Sequence, residues 1–159
     1  MTDNTTHRSQ ANARDVERVD SLLEEQEQLF AQLDSLGEQQ TRLVEDDDAE
    51  GLLTLLAERQ RLIDSIAANN EILSPYRARW GAFLGELADP ERDRLRRRVD
   101  IVAELAGRIA VRDESHRQLL ELRRTRVATE LTKVGRARGA VAAYGQAAGA
   151  TPRFQDREA

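Results

Sequence analysis

Between Pro90 and Pro152 the chain contains no proline, and its apolar positions recur there in alternating steps of four and three. The seam runs from Leu95, Val99, Val102 and Ile109 through Leu120, Val127 and Val134 to Val141 and Tyr144. Steps of this kind stay on one face of an α-helix. Sustained over about seven heptads, they predict one continuous helix of about 80 Å at ~1.5 Å per residue. Asp89-Pro90-Glu91 supplies its start, with Asp89 as cap, proline at the first position and an acid in the first turn. A chain committed to one helix of that length must build the rest of its fold alongside it.

The remaining segments are helical too. Leu22, Leu29, Leu36 and Leu43 recur every seven residues, each preceded at three residues by Val19, Gln26, Leu33 or Gln40. That a/d seam predicts a first helix from Asp15 to Glu45, with polar layers at the two glutamines. Gly37 lies inside it at a cost of about 1 kcal/mol relative to alanine. The run Glu45 to Asp48 lacks the alternation and terminal Glu of a calcium loop and reads as a turn and helix cap. A second helix follows through Leu55, Leu62 and Ile66 to Ser74-Pro75, where it either kinks or restarts. Its continuation places Tyr76, Trp80, Phe83 and Leu84 on one face, the pattern of a well-packed bundle end.

Composition agrees with an all-α fold. Charged residues make up 33% and aromatics 4%, with only 3 Pro and 9 Gly, as in long helices and coiled coils. No cysteine is present, and no apolar run approaches the ~18 residues of a membrane span. The reading is a soluble protein with an elongated antiparallel three- to four-helix bundle or coiled coil and a long C-terminal helix. Residues 1–13 are expected to be a disordered N-terminus, 14–145 the bundle, and 146–159 a flexible tail carrying Phe154. The charge is uneven: the first 89 residues are strongly acidic and the last 70 basic, which fits two halves packing against each other.

Little points to catalysis. The two histidines, His7 and His116, cannot form a metal site without cysteine or a second histidine one turn away. No phosphate loop or nucleophile elbow occurs, so no catalytic, cofactor or metal residue is assigned. Asp113 and His116, one turn apart in the seam, could be an acid–base pair. With Arg123 and Glu130 they read instead as polar layers that set register, meeting Gln26 or Gln40 across the bundle.

Helix lengths carry a stronger implication. Short turns make successive helices antiparallel, and a second arm of about 40 residues covers the last helix only to about residue 130. Leu131, Val134, Val141 and Tyr144 are then without a partner inside the monomer, which marks a partner-binding surface.

The sequence also resembles the FlgN family of flagellar export chaperones over about residues 15–145. The resemblance rests on Leu22-Leu23-Glu24-Glu25, the acidic turn, Leu52, Leu55, Arg59 and Leu62 on the second helix, Asp113, His116, Leu119 and Leu120 on the last, and the closing Tyr144-Gly145. Asp113 and His116 stand where many members have asparagine. The resemblance implies a cytoplasmic, all-helical, non-enzymatic protein that binds hook-associated subunits and delivers them to the flagellar type III export gate. It further implies substrate contacts in the C-terminal region, with Leu131, Val134 and Val141 against the subunit and Tyr144 at the gate protein FlhA.

Two rival classes remain on the residues alone. A coiled-coil scaffold would close the same apolar positions with a second copy, so that monomer and homodimer both stay open. A nucleic-acid or membrane-surface binder would use Arg92, Arg94, Arg96, Arg97 and Arg98, but Glu91 and Asp93 interrupt that run, as on a solvated helical face.

Overall fold

The computed structural model describes residues 3–149, with side chains from Asn12 onward. It contains four helices and, among the described residues, no strand: α1 (Asp3–Glu45), α2 (Ala49–Ala78), α3 (Trp80–Gly85) and α4 (Asp89–Ala148). The chain divides into two units, Met1–Glu114 and Ser115–Ala159. The helical hairpin and the first part of α4 make up the former, and the rest of α4 lies in the latter.

α1 starts earlier than the expected Asp15, because residues 3–14 contain no proline or glycine to stop it. It ends at Glu45 as expected. Asp47 takes a left-handed backbone (φ 55°) in the turn, and the Asp48 carboxylate accepts from the Gly51 N–H at 2.9 Å to cap α2. The acidic run is therefore a turn and cap.

α2 passes through Pro75 and ends at Ala78, so the restart at Ser74 does not occur. Packing outweighs the ~3 kcal/mol that an interior proline costs. Leu73 is buried just before Pro75, and just after it the Tyr76 hydroxyl donates to Asp15 at 3.2 Å. The break comes at Arg79 instead, followed by α3. α4 then begins at Asp89, one position before the expected Pro90, and runs on to Ala148, past the expected end at Gly145.

Within Met1–Glu114 two apolar clusters hold the helices. The larger gathers Val16, Val19 and Leu23 of α1, Leu73 of α2, Phe83 and Leu84 of α3, Leu87, and Leu95 of α4. Tyr76 and Trp80 pack against it, with ring centroids 5.5 and 5.8 Å from Phe83. The smaller joins Leu33, Ile66 and Ile109, one residue from each long helix. Between the clusters lies a crevice of about 440 Å³, lined by Leu23, Phe30, Leu73, Trp80, Val102 and Ala106 among others.

Polar contacts fix the register. Asn69 of α2 donates to the Leu22 carbonyl at 3.1 Å and Tyr76 to Asp15 at 3.2 Å, so α2 runs antiparallel to α1, and Gln26 of α1 adds a bond to Asn70 at 2.6 Å. α4 runs parallel to α1. Arg98 reaches Asp20, and Arg112 reaches Asp34, each across 78 positions of sequence. Arg98 also approaches Glu27 at 3.3 Å, and Arg108 approaches Asp34 at 3.3 Å. Burial alone would lower the pKa of Arg98; its hydrogen bond to Asp20 and the charges of Asp20, Glu24 and Glu27 outweigh that and raise it. Thus the acidic α1 and the first part of α4 pack together, as a ladder of arginines on carboxylates.

Candidate partner-binding surface

Burial along α4 falls away toward its C-terminus. Leu95, Leu105, Ile109 and His116 are buried and Arg123 is half-buried, whereas every described residue from Arg124 to Gly149 is exposed. Exposure thus begins a little before the expected residue 130, since that expectation assumed an unbroken second arm and the arm breaks at Arg79.

All four sequence-derived candidates lie in this exposed stretch: Leu131 is 66% exposed, Val134 49%, Val141 72% and Tyr144 82%. At roughly 100° per residue, Leu131, Val134 and Val141 fall within about 80° of one another, and Tyr144 trails the stripe by about 60° more. Val127, 55% exposed, lies on the same stripe and belongs with them. It was legible in the seam, but the expected overhang began after it.

This stretch carries five basic side chains, Arg124, Arg126, Lys133, Arg136 and Arg138, against one acid, Glu130; Arg124 and Arg138 lie on the stripe, Arg126 and Lys133 flank it, and Arg136 is on the opposite face. None of these five is ion-paired among the described residues, whereas Arg98, Arg108 and Arg112 earlier on the same helix all are. The hydroxyls of Thr125, Thr129 and Thr132 donate to backbone carbonyls one turn back, so they are spent locally. Added Cβ atoms on Gly135, Gly139 and Gly145 would meet nothing within 4 Å. Glycine costs about 1 kcal/mol in a helix interior, so three of them with no packing in return leave this part of α4 weakly held by its own sequence.

The other candidates resolve into structure. Asp113 does not meet a glutamine. Nη2 of Arg59 of α2, itself buried, donates to both its carboxylate oxygens at 2.8 and 2.9 Å, a charge-assisted contact that occupies the group suggested as a catalytic acid or base. Gln26 likewise pairs with Asn70 of α2 and not with α4. Among the arginines proposed for phosphate, Arg92 bonds the Leu84 and Leu87 carbonyls, Arg94 and Arg98 approach Asp20, and Arg97 bonds the Asp93 carbonyl. The contacts of Arg92, Arg94 and Arg98 tie α4 to its neighbours, whereas Arg97 bonds only within α4 and both it and Arg96 are exposed. Among the described residues no group of three or more His, Cys, Asp or Glu could hold a metal, and no helix is long and apolar enough to cross a membrane. The sequence reading missed the Arg59–Asp113 pair because Arg59 is one of several charges on α2, and nothing in spacing marks which is buried.

A family model described as FlgN protein matches residues 15–152. The chain belongs to the FlgN family. Membership implies the role of a flagellar export chaperone that binds hook-associated proteins, and FlgN chaperones are not enzymes. The match spans α1 from Asp15 onward, α2, α3 and all of α4, the exposed stretch included. No curated protein and no solved structure matches this FlgN-family chain.

Proposed function

We propose that this FlgN-family protein works in the cytoplasm, holds hook-associated subunits on the exposed end of α4, and hands them to the export gate protein FlhA. Val127, Leu131, Val134 and Val141 form the apolar stripe that receives a subunit helix, and Tyr144, beside the stripe, engages the gate. The observation that carries this reading is the exposure of these apolar side chains on one face of a helix inside the family-matched span. Unpartnered apolar residues at helical spacing fit the helix-in-groove mode of peptide recognition.

The decisive experiment is co-purification with hook-associated subunits. Truncation after Glu130 should abolish capture while the hairpin unit remains folded by circular dichroism; undiminished capture would remove the site from α4. Tyr144→Ala should leave capture largely intact and reduce export, and the reading of Tyr144 falls if neither changes. Mass in solution separates a chaperone from a scaffold: a concentration-independent dimer that disappears with the same truncation would favour self-pairing.

A further inference from the structure

Resting on that reading of the exposed end of α4, we infer that its occupant is an acidic amphipathic helix, built like α1 of this same protein, and neither a second copy of α4 nor an anionic membrane. The two portions of α4 carry the same chemistry, a seam of apolar residues bordered by arginines. In the first portion the structure shows what that chemistry takes. α1 lays Leu33 against Ile109 and answers the arginines with Asp20, Glu27 and Asp34. The acids bordering the α1 seam lie at spacings of seven: Asp20 and Glu27 share Arg98, and Asp34 takes Arg108 and Arg112.

α1 ends at Glu45, and every described residue of α4 from Arg124 onward is exposed. The pattern on α4 nonetheless goes on: Val127, Leu131, Val134 and Val141 continue the apolar side, and Arg124, Arg126, Lys133, Arg136 and Arg138 continue the charge. A helix of about 25 residues with its own acids at heptad spacing would supply there what α1 supplies to the earlier arginines.

Charge decides among the occupants. A second α4 would set five basic side chains against five more with one acid on each strand, and like charges across a helix pair repel. An anionic membrane would welcome the arginines but needs them off the apolar face. Arg138 lies inside the stripe, within about 60° of both Val134 and Val141, and so holds that face out of hydrocarbon. An acidic helix can place a carboxylate opposite Arg138, as Asp34 stands opposite Arg112.

The test uses the full-length protein and three labelled helical peptides of about 25 residues, identical in their leucine heptads and carrying Glu, Gln or Lys at the flanking positions. Binding is followed by fluorescence anisotropy. The Glu peptide should bind about tenfold tighter than the Gln peptide in low salt and lose that advantage as salt is raised. The Lys peptide should bind weakest. In the triple variant Arg124→Glu, Lys133→Glu, Arg138→Glu, whose side chains are all exposed and lie on or beside the stripe, the order should reverse. Equal binding of the Glu and Gln peptides, an unchanged order in the triple variant, or self-association that excludes the peptides would each overturn the inference. So would binding only to phosphatidylglycerol vesicles. The two levels separate cleanly. If hook-associated subunits bind through residues 131–159 but ignore the charge reversal, the acidic-helix inference fails and the chaperone reading stands; if truncation leaves subunit capture unchanged, the site itself is wrong.

Discussion

The guanidinium of Arg112 passes over Gly37, with Nη1 2.9 Å from where a Cβ on that glycine would stand and Cδ at 3.1 Å. The absent side chain lets Arg112 reach down to α1 and donate to the Asp34 carbonyl at 2.9 Å as well as to its carboxylate. What looks in the sequence like a helix-weakening glycine is the floor of an ion pair.

The two residues should therefore be energetically coupled. In the Arg112→Ala background, Gly37→Ala should stabilise the fold by about 1 kcal/mol, the ordinary helix gain. With Arg112 present that gain should vanish, because the new methyl displaces the guanidinium from Asp34. A double-mutant cycle by urea denaturation reads the difference, and strictly additive effects would show that Gly37 gives Arg112 no special room.

Arg59 and Asp113 offer a second test. Asp113→Ala leaves the buried Arg59 guanidinium without its carboxylate and should cost about 3 kcal/mol. The paired change Arg59→Met with Asp113→Leu should recover most of that loss, since well-packed apolar side chains often replace a buried ion pair at little cost. A double variant no more stable than Asp113→Ala would mean that the pair contributes more than charge neutralisation.

Tyr76 makes stability depend on pH at the alkaline end. Burial first, then the charge of Asp15 and the hydrogen bond to it, raise the Tyr76 phenol above its ordinary 10.0. The folded state thus holds this proton more tightly than the unfolded state. The contribution is fully present below pH 10.0 and is lost as pH rises through the folded value. In a Tyr144→Phe background, which leaves Tyr76 as the one tyrosine, absorbance at 295 nm should titrate above 10.0 in the native protein and near it in urea. Coincident curves would refute the shift.

Amide hydrogen exchange should divide α4. Residues 124–148, exposed and threaded with Gly135, Gly139 and Gly145, should exchange orders of magnitude faster than residues 95–113, which are anchored by Leu95, Leu105 and Ile109. Uniform slow exchange through Tyr144 in a verified monomer would contradict the picture of an unpartnered helix end.

These contrasts show where the sequence was legible. Hydrophobic period gave α4 as one helix, and the run Asp46 to Asp48 gave the turn and the Asp48 cap, because each rests on chemistry local to a few residues. At Pro75 the sequence left a kink and a restart both open, since the contacts that carry α2 through it, Leu73 in the core and Tyr76 on Asp15, are with other segments. Partners of polar residues were the least legible. Gln26 could have met any of several layers, and only the register of α2 against α1 and α4 pairs it with Asn70 and leaves Asp113 to Arg59. The apolar part of the candidate surface could be read from the seam and from counting residues per arm. Its charge could not be weighed until the structure showed which arginines were already answered by carboxylates.

The five unpaired basic residues between Arg124 and Arg138 also make that stretch a row of cleavage points for any protease that cuts after arginine or lysine. In the hairpin unit Arg59, Arg98 and Arg112 are guarded by packing and by their carboxylates; these are guarded only by whatever lies on them. Limited trypsin digestion should then trim the empty protein back to a core ending near residue 124 and spare the laden one. Occupancy would set the protein's lifetime, and a chaperone without cargo would be the first to be cleared.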